Sequence, residues 1–154
     1  MHPLGNVHNF DFLIATWAVH NTRLRHRGVG SSDWYKFDGV STCRQQLGGL
    51  VNIDEITFPD EGFSGLTFRA FDITESRWSI WWINSGSGIL QPPVHGGFTG
   101  DHGEFFGDDL DDGQPVAVRF DWTAGPSPRW EQAFSYAGGP WETNWTMAFT
   151  RLAD

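Results

Sequence analysis

Six histidines, one lysine, one cysteine and nineteen carboxylates are the residues of this 154-residue chain that could move protons, hold a metal or attack a substrate. Imidazole is the commonest general base near neutral pH, and His20, next to Asn21, is the best placed of the six. Strand alternation from Trp17 nevertheless puts His20 on the outer side, so that only a bulge would turn it inward. His95 and His102 flank or occupy a hairpin, and His2, His8 and His26 read as terminal or surface positions. No two histidines stand at i, i+2 strand spacing or H-x-x-x-H helix spacing, and no metal site is expected. The run Asp108-Asp109-Leu110-Asp111-Asp112-Gly113 departs from the D-x-D-x-D-G calcium loop, and its Asp-Gly reads as a hairpin turn. Cys43 is the sole cysteine, which excludes an intrachain disulfide and a four-sulfur zinc site; a lone strand cysteine reads as buried packing. Lys36 alone could form a Schiff base and reads instead as a strand surface residue. No G-x-S-x-G elbow and no glycine-rich phosphate loop before a helix occurs.

Ten Arg and Lys against nineteen Asp and Glu give a formal charge of −9. Such a chain repels phosphate backbones and anionic lipid, so neither nucleic acid nor a membrane is an expected partner. No apolar run approaches the roughly 18 to 20 residues of a membrane helix, and the Met-His-Pro-Leu-Gly-Asn start has no charged and apolar leader pattern. A cytoplasmic protein with one domain over residues 1–154 is the expectation.

The elements that must position these groups are strands. Nine tryptophans and thirteen phenylalanines recur largely at alternate positions, and Gly, Pro, Asp and Asn clusters punctuate the chain every eight to twelve residues. After a short helical turn over residues 8–13, strands are expected at 16–27, 34–45, 50–58, 65–72, 78–84, 94–99, 104–107, 115–122, 129–135 and 142–151. Ten sequential antiparallel strands favour an all-β, up-and-down barrel, because closure leaves no unpaired edge.

In a soluble acidic barrel the more apolar side of each strand points inward, so polar residues on that side are candidates for binding. The first strand places Trp17, Val19, Asn21 and Arg23 together; the third, Leu50, Asn52, Asp54, Ile56 and Phe58. The ninth contributes Trp130, Gln132 and Phe134, and the tenth Trp141, Thr143, Trp145 and Met147. Trp82 of the fifth strand joins them. In the second strand the phase is ambiguous between Trp34, Lys36, Asp38, Val40 and Thr42 and the set Tyr35, Phe37, Gly39, Ser41 and Cys43; the second set is preferred inward. Asp54 and Arg23 could neutralise one another, either as a structural ion pair or while contacting a guest.

The segment Phe10-Asp11-Phe12-Leu13-Ile14-Ala15-Thr16-Trp17 resembles the opening motif of lipocalin-like (calycin) proteins, in which Gly-x-Trp closes one barrel end; Ala15 replaces the usual glycine. More closely, the chain resembles a group of bacterial lipocalin-like proteins with an F-x-F-L-x-[GA]-T-W motif and no settled activity. The likeness runs through Trp17-x-Val19-His20-Asn21, Gly48-Gly49-Leu50-x-Asn52-x-Asp54-Glu55, Gly107-Asp108-Asp109, Trp130-Glu131-Gln132-Ala133-Phe134-Ser135 and Trp141-Glu142-Thr143-Asn144-Trp145. It implies a pocket at the open mouth, capped by loops such as 85–88. The expected role is binding of a hydrophobic, aromatic or polycyclic small molecule, with no cofactor. An alternative is a cofactor-independent cyclase, isomerase or hydratase in which Asp54, Tyr35 or His20 moves a proton. Haem binding through one histidine, a barrel filled by its own side chains, and a homodimer through an outer sheet face are further alternatives.

Overall fold

The computed structural model describes residues 4–154; His2 lies outside the described residues. Ten strands follow in chain order: β1 (Thr16–Leu24), β2 (Trp34–Gln46), β3 (Val51–Phe58), β4 (Phe63–Asp72), β5 (Arg77–Asn84), β6 (Val94–Thr99), β7 (His102–Asp111), β8 (Gln114–Thr123), β9 (Arg129–Tyr136) and β10 (Glu142–Ala153). Each pairs antiparallel with its sequence neighbour, and β1 also pairs with β10, which closes the barrel. The only helical elements among the described residues are 3₁₀ turns, Asp11–Leu13 and Leu47–Gly49. No helix is long and apolar enough to cross a membrane.

Two strand ends differ from expectation by three residues or more. β1 stops at Leu24 rather than at 27, because the segment that follows leaves the sheet. β7 runs well past 107, and the acidic residues 108–111 belong to it; the turn itself is Asp112-Gly113. Both turn residues have positive φ (49° and 78°), the combination a tight two-residue hairpin needs.

The Asp11–Leu13 turn and the residue before it plug one end. Phe10 is buried, with Trp78, Phe98, Phe105 and Trp122 around it at ring-centroid distances of 5.1, 5.2, 5.7 and 5.9 Å. Two indole N–H groups hold the plug to the wall: Trp17 Nε1 donates to the Leu13 carbonyl and Trp78 Nε1 to that of Asn6, both at 2.9 Å. The plug therefore combines apolar burial with satisfied polar edges, the usual way an indole is accommodated inside a protein.

The opposite end is crossed by residues 25–33, the connection from β1 to β2. Arg27 reaches Asp111 of β7 (Nη2 to Oδ1, 2.9 Å), and Tyr136 of β9 donates its hydroxyl to the other Asp111 oxygen at 2.6 Å. The Gly28 amide donates to Glu142 of β10 at 2.8 Å. Gly28 has a φ of 76°, and a Cβ there would lie 2.9 Å from the Tyr136 ring, so glycine is required both for the turn and for the close approach. One loop is thus strapped to three strands across the rim.

Burial works to raise the Asp111 carboxyl, but hydrogen bonds from Arg27 and Tyr136 outweigh it and hold the group below the usual carboxylate range. A carboxyl depressed by folding stabilises the folded state wherever the unfolded carboxyl is ionised, and that contribution disappears as pH falls through the folded value. The strap should be pinned at neutral pH and released in strong acid. At pH 7, Asp111→Asn should speed amide hydrogen exchange in residues 25–33 roughly tenfold or more; unchanged exchange would show that the loop is held by other contacts. Inside the wall, a Cβ on Gly65 would fall 1.8 Å from the Trp82 indole. Gly65→Ala should therefore cost about 1–3 kcal/mol in urea unfolding, because the indole must move within a packed lining.

Candidate functional site

Between plug and strap lies a cavity of about 90 Å³. Period-two alternation aims one side of every strand at it, and on most strands that side is aromatic or branched aliphatic: Trp82 on β5, Phe120 and Trp122 on β8, Trp130 on β9, and Trp145, Met147 and Phe149 on β10. Polar groups enter the lining at few points, chiefly Ser41, Asp54, Thr67, Arg69, Gln91, Asp109 and Gln132.

The floor is organised by Arg69 of β4. Its Nη2 lies 2.7 Å from Asp54 Oδ2, and its Nη1 donates to Asn52 Oδ1 at 2.8 Å. The guanidinium also faces the rings of Phe10 and Trp122, at 5.2 and 5.5 Å from their centroids. All three polar partners are buried. An isolated charge at this depth would cost several kcal/mol, and the pairing together with the aromatic faces offsets it. Asp54 therefore pairs with Arg69 rather than with Arg23: Asn52 and Asp54 sit directly opposite Arg69 and Thr67 in the β3–β4 register. Cys43 lies opposite Asp54 on β2, where burial pushes its thiol up to about 12 and leaves it protonated rather than nucleophilic.

Arg23 has a different role. It stacks on the Trp145 ring at 4.2 Å and lines an outer cleft at the rim with Arg25, Tyr35 and Lys36. Burial lowers its pKa. Trp145 in turn donates Nε1 to Asn21 Oδ1 at 2.9 Å and meets Trp130 edge-on at 5.6 Å and Trp82 at 6.3 Å. Asn21 thus sets the orientation of a cavity wall without lining the cavity itself.

Of the residues the sequence nominates, Asp54, Trp82, Gln132, Trp145 and Met147 line the cavity. Asn52 supports the floor from one bond away, Trp17 is buried at the plugged end, and Phe134 is buried toward the rim beside Tyr136. The preferred phase of β2 agrees with the structure: Phe37, Ser41 and Cys43 are buried. Tyr35, on the same side, sits at the rim under Arg25, whose guanidinium is 4.5 Å from its ring.

Thr143 and Trp141 are corrections. Asn144 is an extra residue between the pairs Thr143↔Ala133 and Trp145↔Gln132, and this bulge turns Thr143 to the outer side while burying Asn144. Gln132 Nε2 donates to the Asn144 Oδ1 at 2.8 Å, which holds the bulge in place. Trp141 precedes the strand and is 39% exposed. His20 stays on the outer side to which alternation from Trp17 assigns it: no bulge turns it, its side chain is 61% exposed, and it bonds Asp38 on the outer surface rather than entering the barrel as a proton-transfer group. None of the described histidines lines the cavity. His95 bonds the Ser79 hydroxyl at 2.6 Å, and Ser79 lies between the inward Trp78 and Ile80, hence on the outer side.

Sequence reasoning passed over Arg69 and Asp109. Arg69 had a signal, since alternation through Gly65 and Thr67 carries it onto the inward side of β4. Asp109 was hidden in the acidic run assigned to a turn.

No protein-family model matches the chain. No curated protein matches it in sequence either. Among solved structures, the crystal structure of Rv2717c from M. tuberculosis is similar in fold, with a TM-score of 0.63 over 97% of this chain and 99% of that one, at 12% sequence identity.

Proposed function

We propose that this protein is a lipocalin-like barrel that binds a small, mainly apolar guest in its central cavity. The observation that carries the reading is a space left open where aromatic side chains converge: Trp82, Trp122, Trp130 and Trp145 all border it, together with Met147 and Phe149. Barrels that serve only as scaffolds fill their interior with side chains, whereas lining of this kind, with few polar groups, suits an apolar ligand. Aromatic walls give large contact area at low entropic cost. The opening motif and the meander closed by β1–β10 support the lipocalin-like assignment.

The size of the space refines the guest. Drug-sized ligands occupy pockets of about 300–1,000 Å³, and about 90 Å³ suits a single ring rather than a polycyclic system. Binding without turnover is the reading we favour over proton-transfer catalysis, because the one carboxylate at the floor is committed to Arg69 and the nearby thiol stays protonated.

Filling the cavity should abolish binding and leave the barrel folded. Val118 lines the cavity, and Val118→Phe should cost about 1–3 kcal/mol of stability while eliminating the tryptophan fluorescence change produced by a panel of single-ring compounds. An unchanged response in this folded variant would place binding elsewhere, and a chemically altered compound recovered from the wild-type protein would make it an enzyme.

A further inference from the structure

The charges that border the central cavity do not balance. Arg69 is the only cation in the lining, and Asp54, 2.7 Å from its Nη2, neutralises it. The second carboxylate of the lining, Asp109 of β7, is in no ion pair among the described residues. Asp111, two residues further along the same side of that strand, has Arg27 as its partner, and Arg23 stays outside the lining, on the Trp145 ring. One carboxylate is therefore left without a counter-charge beside a space walled mainly by aromatic rings.

The position of Asp109 decides what could answer it. Its register partner on β8 is Val116, which is buried in the core; residues directly opposite in an antiparallel pair share a side, so the Asp109 side chain is directed inward. Along β7 it lies between Phe105, which packs on the plug, and Asp111, which holds the strap. Oδ1 accepts the Leu110 amide at 2.7 Å. Oδ2 makes no hydrogen bond, and it is not one of the buried polar atoms without a partner, which are all nitrogens, on Arg23, Arg69, Arg77, Trp122 and Asn144. Oδ2 is consequently open to water, toward the strapped end of the cavity.

Three effects favour a cation at this point. A carboxylate that keeps part of its water pairs with an ammonium without the full desolvation cost of a buried ion pair. The indoles of Trp82, Trp130 and Trp145 border the same space, and aromatic faces attract cations while covering an apolar ring. At long range, the net charge of −9 draws cations and repels anions.

We propose that the guest is a single-ring amine in its ammonium form, with the ring among the indoles and the nitrogen donating to Asp109 Oδ2. The inference rests on the binding function proposed above and adds charge and orientation to it.

Three probes of similar shape separate the possibilities: benzylamine, which is cationic at neutral pH; ethylbenzene, its uncharged counterpart; and benzoate, which is anionic. By titration followed through tryptophan fluorescence at pH 7, benzylamine should bind about tenfold more tightly than either of the others, as expected for one charge-assisted hydrogen bond. Asp109→Asn keeps an oxygen for the Leu110 amide, so the barrel should fold, and it should bring benzylamine and ethylbenzene to within about threefold of one another. Asp108→Asn removes the same charge from the neighbouring exposed position and should retain the preference for benzylamine. Equal affinity for benzylamine and ethylbenzene in the unaltered protein, tightest binding of benzoate, or a preference that survives Asp109→Asn would overturn the cation assignment and leave the apolar cavity reading standing. Loss of the preference in both variants would trace it to overall charge and overturn the role of Asp109. Failure of all three probes to bind would overturn both readings.

Discussion

A guanidinium buried at the junction of plug and wall is the constraint on which the rest of this barrel depends. Arg69 is 3% exposed. It touches β3 through Asn52 and Asp54, the plug through Phe10 and β8 through Trp122, so one side chain joins elements far apart in sequence. Removing either charge of such a pair leaves the other desolvated, so the loss of one partner alone is strongly destabilising. The plug, in turn, brings its own ring into the aromatic cluster and ties Trp17 by a backbone carbonyl. The plugged end is consequently rigid by chemistry as well as by packing.

The two ends are built on different principles. At the plugged end the polar groups are buried and the aromatic rings surround them; at the rim the order is inverted, with arginines and carboxylates outside and aromatic rings beneath. Trp145 is where the two regimes meet, with a cation stacked on its ring, Asn21 holding its N–H and the cavity among its neighbours. Its orientation therefore links the electrostatics of the rim to the shape of the apolar space.

Much of this was legible in the sequence, and the reasons for the rest are specific. Alternation placed Asn52, Asp54 and Ile56 on one side of β3 and Phe37, Ser41 and Cys43 on one side of β2, because those strands are regular. It failed at Thr143 because a bulge adds one residue and flips everything before it, and no local residue type announces Asn144 as the extra one. Asp54 could be recognised as needing a cation, yet two inward arginines were available. The choice between Arg23 and Arg69 depends on which strand lies beside β3, a property of the sheet as a whole rather than of any segment. The departure of residues 25–33 from β1 was hidden for a related reason: Arg25 and Arg27 continue the alternation of Arg23, but Arg25 pairs with Asp33 inside the loop and the partner of Arg27, Asp111, lies 84 residues away on β7.

The barrel wall is not equally strong around its circumference. β4 and β5 are matched over eight residue pairs, whereas β5 and β6 share only three, Trp78↔Gly96, Ser79↔His95 and Ile80↔Val94. Beyond them the wall is completed by the chain between the two strands, through a hydrogen bond that the Gln91 backbone N–H donates to the Trp82 carbonyl and a single bridge between Ile83 and Leu90. Gln91 and Pro92 of that same stretch line the cavity. Local opening follows the path of fewest broken backbone bonds. For the guest proposed above, this lateral seam offers a way in and out that leaves the plugged end and the remaining ladders intact, so that residence time and global stability become separable properties of the same molecule.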